Sequence, residues 1–380
     1  VAVTAVVLAA TLAGCAGSAA PAARKPPAGH RSGKQTPAPR ASTATPATAP
    51  LAGGGPRIMI IGDSITQGSA GDYTWQYWLY EHLRADGVKP TMVGPYGWLY
   101  NNVTDRQHDQ SYANPDFEHA NDAIWGLTLF REKAEIGSEV TTYRPDYLLV
   151  MLGLNDLFWY EKTQSVMTQN LAGFIAAART ADPRIRIVLG LVPPDIHQRT
   201  NPFFAASVTG FNQTITATAA EESTAASPIA VADDGARISI TKDLWDGTHP
   251  NTNGQIKIAA AFADVLARRF RLGKPYPAPF PVMPTGPLVS PHLIVRPSLT
   301  PHEAVLIWTL VPGANSYLVY EKDTTEHGAK FKRLPYPLSP TQNPWRAGLL
   351  TAGSIYTFKL QACKGNDCGA YSNQASVTAP

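Results

Sequence analysis

Short apolar runs punctuate the middle of the chain: RIMIIGD (57–63), PTMVGPY (90–96), YLLVMLG (147–153), RIRIVLGLV (184–192) and PIAVAD (228–233). Each is too brief for a buried helix and is bounded by Gly, Pro or Asp, which predicts strands buried on both faces. Between them lie longer stretches that read as helices: an aromatic-rich one from Tyr73 to Ala85, another from about Gln164 to Ala181, and a closing one from Gly254 to Phe270. Strands that alternate with helices predict a parallel sheet covered on both faces. In such sheets the site lies beyond the carboxyl ends of the strands.

After residue 300 the rhythm changes. EAVLIWTL (303–310), NSYLVYEK (315–322), GSIYTFKLQAC (353–363) and NQASVTA (373–379) are short strands parted by turn residues, the pattern of an all-β sandwich. Prolines 275, 277, 279, 281, 284, 287 and 291 favour a stiff, extended connection between the two parts. From Ser18 to Gly55 the chain is almost wholly Ala, Pro, Thr, Ser, Gly and Lys or Arg. It holds too little apolar surface to offset the entropy of ordering, and so reads as a disordered spacer. The expected organisation is therefore a leader (1–17), a linker (18–56), an α/β domain (57–273), a Pro-rich linker (274–286) and an all-β domain (287–380). The last is expected to be a spacer or a weak binding contact, dispensable for the chemistry of the α/β domain.

Charge narrows the partners. The 380-residue chain has a formal net charge of +3. Arg24, Lys25, Arg31, Lys34 and Arg40 all precede residue 57, with no acid among them, so the remainder sums to −2. A nearly neutral folded part gives no electrostatic case for binding nucleic acid. Residues 1–14, VAVTAVVLAATLAG, are apolar and uncharged, too short to span a bilayer but suited to the core of a signal peptide. The Lys or Arg that usually precedes such a run does not stand between Val1 and the apolar stretch. Leu12-Ala13-Gly14-Cys15 resembles the bacterial lipobox, which implies lipidation of Cys15, an extracellular cell-surface lipoprotein and membrane contact only through that anchor. An ordinary cleaved signal with an incidental cysteine is the alternative. Cys363 and Cys368 flank the polar turn Lys-Gly-Asn-Asp and are read as a disulfide, which needs an oxidising compartment. Two free thiols are the alternative, since Cys-x4-Cys without a further Cys or His cluster makes a poor zinc site.

The candidate chemistry sits at the predicted strand ends. In Gly62-Asp63-Ser64 a strand delivers a serine into a turn that opens a helix; helix capping alone would account for the same residues. Asp246-Gly247-Thr248-His249 can put a base and its orienting acid in one loop before the last helix, which is what a serine needs to become a nucleophile; a turn cap beside a surface histidine is the alternative, and a metal pair would lack further ligands. Gly153-Leu154-Asn155-Asp156 follows the third strand, so the Asn155 amide can face the space beside Ser64. Gly126, in Ala-Ile-Trp-Gly-Leu-Thr, supplies a backbone N–H where a side chain would block approach. Ser64 N–H, Gly126 N–H and Asn155 Nδ2 together make a three-donor oxyanion hole.

These four motifs, in this order, resemble the four blocks of the SGNH (GDSL-type) hydrolases over about residues 57–270. The resemblance implies a flavodoxin-like three-layer α/β fold with a parallel sheet. It also implies catalytic Ser64, Asp246 and His249, an oxyanion hole of Ser64, Gly126 and Asn155, and an acyl-enzyme mechanism that needs no metal or organic cofactor. The opening Arg57-Ile-Met-Ile-Ile-Gly-Asp-Ser-Ile-Thr-Gln-Gly looks most like the carbohydrate-esterase branch, including acetylxylan-esterase-like enzymes, and implies an acetylated polysaccharide as substrate. The block around Gly126 departs from that branch, where a Gly-His-Ser-Gly-Trp type segment is usual. Trp125, Phe158, Trp159 and Tyr160, with Trp98 and Tyr100, are candidate rim residues whose flat rings suit sugar faces, although packing in the core or a lid would explain them equally. Lipid esters or thioesters are the alternative substrates, and a binding protein with a vestigial triad is the alternative function. In the C-terminal part, Trp308 and the segment Leu350 to Tyr356 resemble a fibronectin type III module.

Overall fold

The computed structural model describes residues 54–380. The leader, Cys15 and the spacer up to residue 53 lie outside them. No helix among the described residues is long and apolar enough to cross a membrane.

The apolar runs become a parallel sheet. Its order is Thr91–Met92, Arg57–Gly62, Tyr147–Met151, Arg186–Gly190, Ile229–Ala232, with the two-residue strand Asp122–Ala123 paired to Ile61 and Gly62 at the carboxyl end of Arg57–Gly62. The central strands are buried along nearly their whole length, which requires cover on both faces. Two packed groups of helices provide it. Thr74–Ala85 lies against Thr252–Phe270, where Trp75 stacks on Phe262 at 4.7 Å. Leu129–Tyr143 packs on Gln164–Ala181, which packs on Pro202–Glu222.

The C-terminal part forms antiparallel sheets around its own core. One comprises Leu293–Pro297, Ala304–Trp308 and Trp345–Ala347; the other is built on Ser316–Asp323 and Ile355–Lys364. Trp308, Tyr317, Phe358 and Leu360 are buried between them, and the Tyr356 hydroxyl accepts the Thr351 N–H at 3.1 Å. Cys363 and Cys368 are joined as a disulfide across the hairpin Ile355–Lys364 and Asp367–Tyr371.

The Pro-rich segment is laid along the α/β part rather than held away from it. Lys274 N–H donates to Asp86, Tyr276 N–H to Asp264 and Met283 N–H to Asn253. Residues 54–380 belong to one compact unit.

Candidate active site

The strand Arg57–Gly62 ends in a turn so tight that a Cβ on Gly62 would sit 2.1 Å from Thr66 Oγ1. Ser64 therefore opens the short helix Ser64–Gln67 directly above the sheet, and Asp63 caps it by accepting the Ile65 N–H at 3.0 Å. Burial pushes the Asp63 carboxyl up to about 7.

The second loop folds on itself. Asp246 Oδ1 accepts the Thr248 and His249 N–H groups at 3.0 and 2.8 Å, and Trp245 N–H donates to His249 O at 2.9 Å. Gly247 has φ +93°, with Ile196 where a Cβ would go, so the turn needs glycine. Held this way, Asp246 Oδ2 lies 2.7 Å from His249 Nδ1, and His249 Nε2 lies 3.0 Å from Ser64 Oγ. The aspartate fixes the tautomer with hydrogen on Nδ1, which leaves the Nε2 lone pair toward the serine hydroxyl. For His249, burial works to lower the pKa, but the charge and hydrogen bond of Asp246 outweigh it and the net shift is upward. For Asp246, burial opposes ionisation and His249 more than restores it, so its carboxyl is held below the ordinary value.

Two backbone N–H groups of these motifs, those of Ser64 and Gly126, stand without a partner among the described residues. Gly126 is exposed at φ +81°, with open space where a Cβ would be. Asn155 is placed differently from a free donor. Its Nδ2 donates to Asp63 Oδ2 at 3.2 Å and to Leu127 O at 3.0 Å, so both amide hydrogens are taken. Gly153, at φ +120° with Phe211 filling the Cβ position, turns the chain into the helix Leu154–Phe158 that carries it. To reach an oxyanion, Asn155 must release one of these two acceptors. Asn155→Ala is expected to lower kcat about 10²–10³-fold with KM nearly unchanged, measured on a small soluble ester.

The candidate rim residues divide. Trp125 stacks on His249 with ring centres 4.4 Å apart, and Tyr100 stacks on Trp125 at 4.3 Å. Phe158 packs edge-on against Trp159 and Phe204 and also touches His197, while Tyr160 is 55% exposed with Lys162 Nζ 6.0 Å from its ring centre. Trp98 lies against Tyr96 and His108. A neighbour of the site not singled out from the sequence is Trp245, whose ring is stacked with His249 at 5.4 Å between centres. Its adjacency to Asp246 was the available signal. Asp195 and Gln67 were missed as well. Asp195 accepts the Thr248 hydroxyl at 2.6 Å, and Gln67 Oε1 takes the Trp125 N–H at 2.7 Å.

Among the described residues, Asp122, Glu132 and Glu139 form one buried group whose carboxylate oxygens lie within 4.8 Å of one another. Burial raises Asp122 to about 7 and Glu132 to about 8. Burial thus favours the protonated form of Asp122 and Glu132.

Residues 60–256 match the family described as GDSL-like Lipase/Acylhydrolase family. Solved structures of similar shape include a carbohydrate esterase family 3 protein from Talaromyces cellulolyticus, 23% identical with a TM-score of 0.48, covering 57% of this chain and 98% of that one. A family 3 carbohydrate esterase from Clostridium thermocellum is 20% identical with a TM-score of 0.46, covering 57% and 99%. A lipase/acylhydrolase from Enterococcus faecalis is 18% identical with a TM-score of 0.41, covering 59% and 100%. No curated protein matches the chain.

Proposed function

The chain belongs to the GDSL-like lipase/acylhydrolase family, and from that premise we propose that it is an extracellular serine esterase that removes acetyl groups from polysaccharides. The observation that carries the esterase reading is the unbroken hydrogen-bond chain from Asp246 through His249 to Ser64. His249 Nε2 takes the Ser64 proton as Oγ attacks the ester carbonyl. The oxyanion forms against the Ser64 and Gly126 N–H groups and, once it releases one of its two acceptors, the Asn155 amide. The imidazolium returns its proton to the departing alcohol. Water, activated by the same nitrogen, then cleaves the acyl-enzyme and releases the acid.

The acetylated-polysaccharide reading rests on the sequence around Ser64 and on the flat rings of Trp125, stacked on His249, and Tyr100, stacked on Trp125. Its test compares acetate release from acetylated xylooligosaccharides with hydrolysis of long-chain fatty esters. Higher kcat/KM is expected on the acetylated sugars, and preference for the long chains would move the function to lipids. Absence of both activities, with no labelling of Ser64 by a fluorophosphonate, would leave a binding protein.

Trp308 in the C-terminal core and the Tyr356 hydroxyl tied to Thr351 support reading that part as a fibronectin type III domain. The disulfide fits an oxidising compartment, in keeping with export and with Cys15 as a lipid anchor.

A further inference from the structure

His249 is the third ring of a continuous stack, Tyr100, Trp125, His249 and Trp245. Both ends of that stack run to one turn of the C-terminal domain. The turn is Lys364-Gly365-Asn366-Asp367, closed at its base by the Cys363–Cys368 disulfide.

On one side the turn holds Trp245. Asn366 N–H donates to Trp245 O at 2.9 Å, and Lys364 Nζ lies 5.4 Å from the centre of the indole. Gly365, at φ +55°, packs so closely that a Cβ there would lie 2.0 Å from Trp245 O. Asp367 secures the far end of the same loop by accepting from Asn251 Nδ2 at 2.9 Å, where Asn251 caps the helix Thr252–Phe270. On the other side Lys364 Nζ, nearly buried, donates to Asp72 at 2.6 Å and to Ala70 O at 3.1 Å. Ala70 N–H in turn donates to Tyr100 O at 2.8 Å, which places the outer ring of the stack.

We propose that this disulfide-closed turn of the C-terminal domain is a positioning element for the catalytic histidine, gripping the Trp245 and Tyr100 ends of the ring stack that sets the orientation of His249. The inference rests on the esterase reading. It replaces the sequence expectation that the C-terminal domain is a spacer dispensable for the chemistry of the α/β domain. A buried ammonium with two oxygen partners on a distant segment, and a glycine in backbone contact with the histidine loop, are features of a built interface rather than of two domains on a tether.

The test uses the full chain with Gly365→Ala, which wedges the turn off Trp245, and separately Lys364→Met, which keeps the stem and removes the cation. Each folded variant is expected to lose tenfold to about 10²-fold in kcat, with a smaller change in KM. The acid limb of its kcat/KM–pH profile is expected to shift toward the ordinary histidine value as His249 loosens from Asp246. A purely structural contact would change the thermal midpoint without moving that limb. If Gly365→Ala does not fold, Lys364→Met decides alone. Folded variants with wild-type kcat and an unmoved limb would overturn this inference and leave the esterase reading intact. A wild-type protein that neither hydrolyses short esters nor takes a fluorophosphonate on Ser64 overturns both.

Discussion

Ser64→Ala is expected to lower kcat on a small soluble ester by about 10⁶-fold, the scale seen when the nucleophile of a serine triad is removed. The size follows from the hydrogen-bond chain. His249 Nε2 has Ser64 Oγ at 3.0 Å as its reacting partner, and without that oxygen no acyl-enzyme can form. The fold should hardly notice, since the exchange removes one oxygen from a helix-opening position whose cap is Asp63. Ser64→Ala should therefore keep the wild-type melting curve while losing both turnover and fluorophosphonate labelling. Residual activity about 10³–10⁴-fold above the uncatalysed rate would survive through the oxyanion donors and binding. A Ser64→Ala variant that turned over within tenfold of wild type would mean that another nucleophile performs the chemistry.

The parallel sheet was legible because each central strand is a contiguous apolar run, a pattern set by burial on both faces. The helices Leu129–Tyr143 and Pro202–Glu222 went unassigned for physical reasons. The first turns Glu132 and Glu139 into the core, which breaks its apolar stripe, and the second is a run of Ala, Thr and Ser with little contrast between faces. Local motifs were enough to single out Ser64, Asp246 and His249, at a strand end and in the loop before a helix, and the fold brings the three within hydrogen-bond reach of one another. Side-chain direction was not legible. Nothing local shows that Trp245 turns onto His249, or that both Asn155 hydrogens are engaged. Least visible was the grip of Lys364 on Asp72, a pairing across 292 residues that only the packing of two domains creates.

Asp246→Asn carries the second large effect, a fall in kcat of about 10⁴-fold, because an amide in place of the carboxylate favours the wrong imidazole tautomer. The pH dependence separates this role from simple packing. His249 must be neutral to take the serine proton, and its pKa in the folded protein is raised above the ordinary 6.5 by Asp246 against the lowering effect of burial. The wild-type kcat/KM should therefore decline as the pH falls through a value above 6.5. Removing the carboxylate takes away the raising influence and leaves burial, so the limb of Asp246→Asn should move to lower pH even as its height collapses. Asp63 and Asp195 are the other acids that raise His249. Asp63 is itself pushed to about 7 by burial and so carries only part of a charge near neutrality. Asp195 acts from one step away, through the Thr248 hydroxyl and His197. Asp195→Asn should thus shift the limb in the same direction by less, with far more of kcat retained. If instead Asp195→Asn moved the limb further than Asp246→Asn, the acid orienting His249 would have to be reassigned to Asp195.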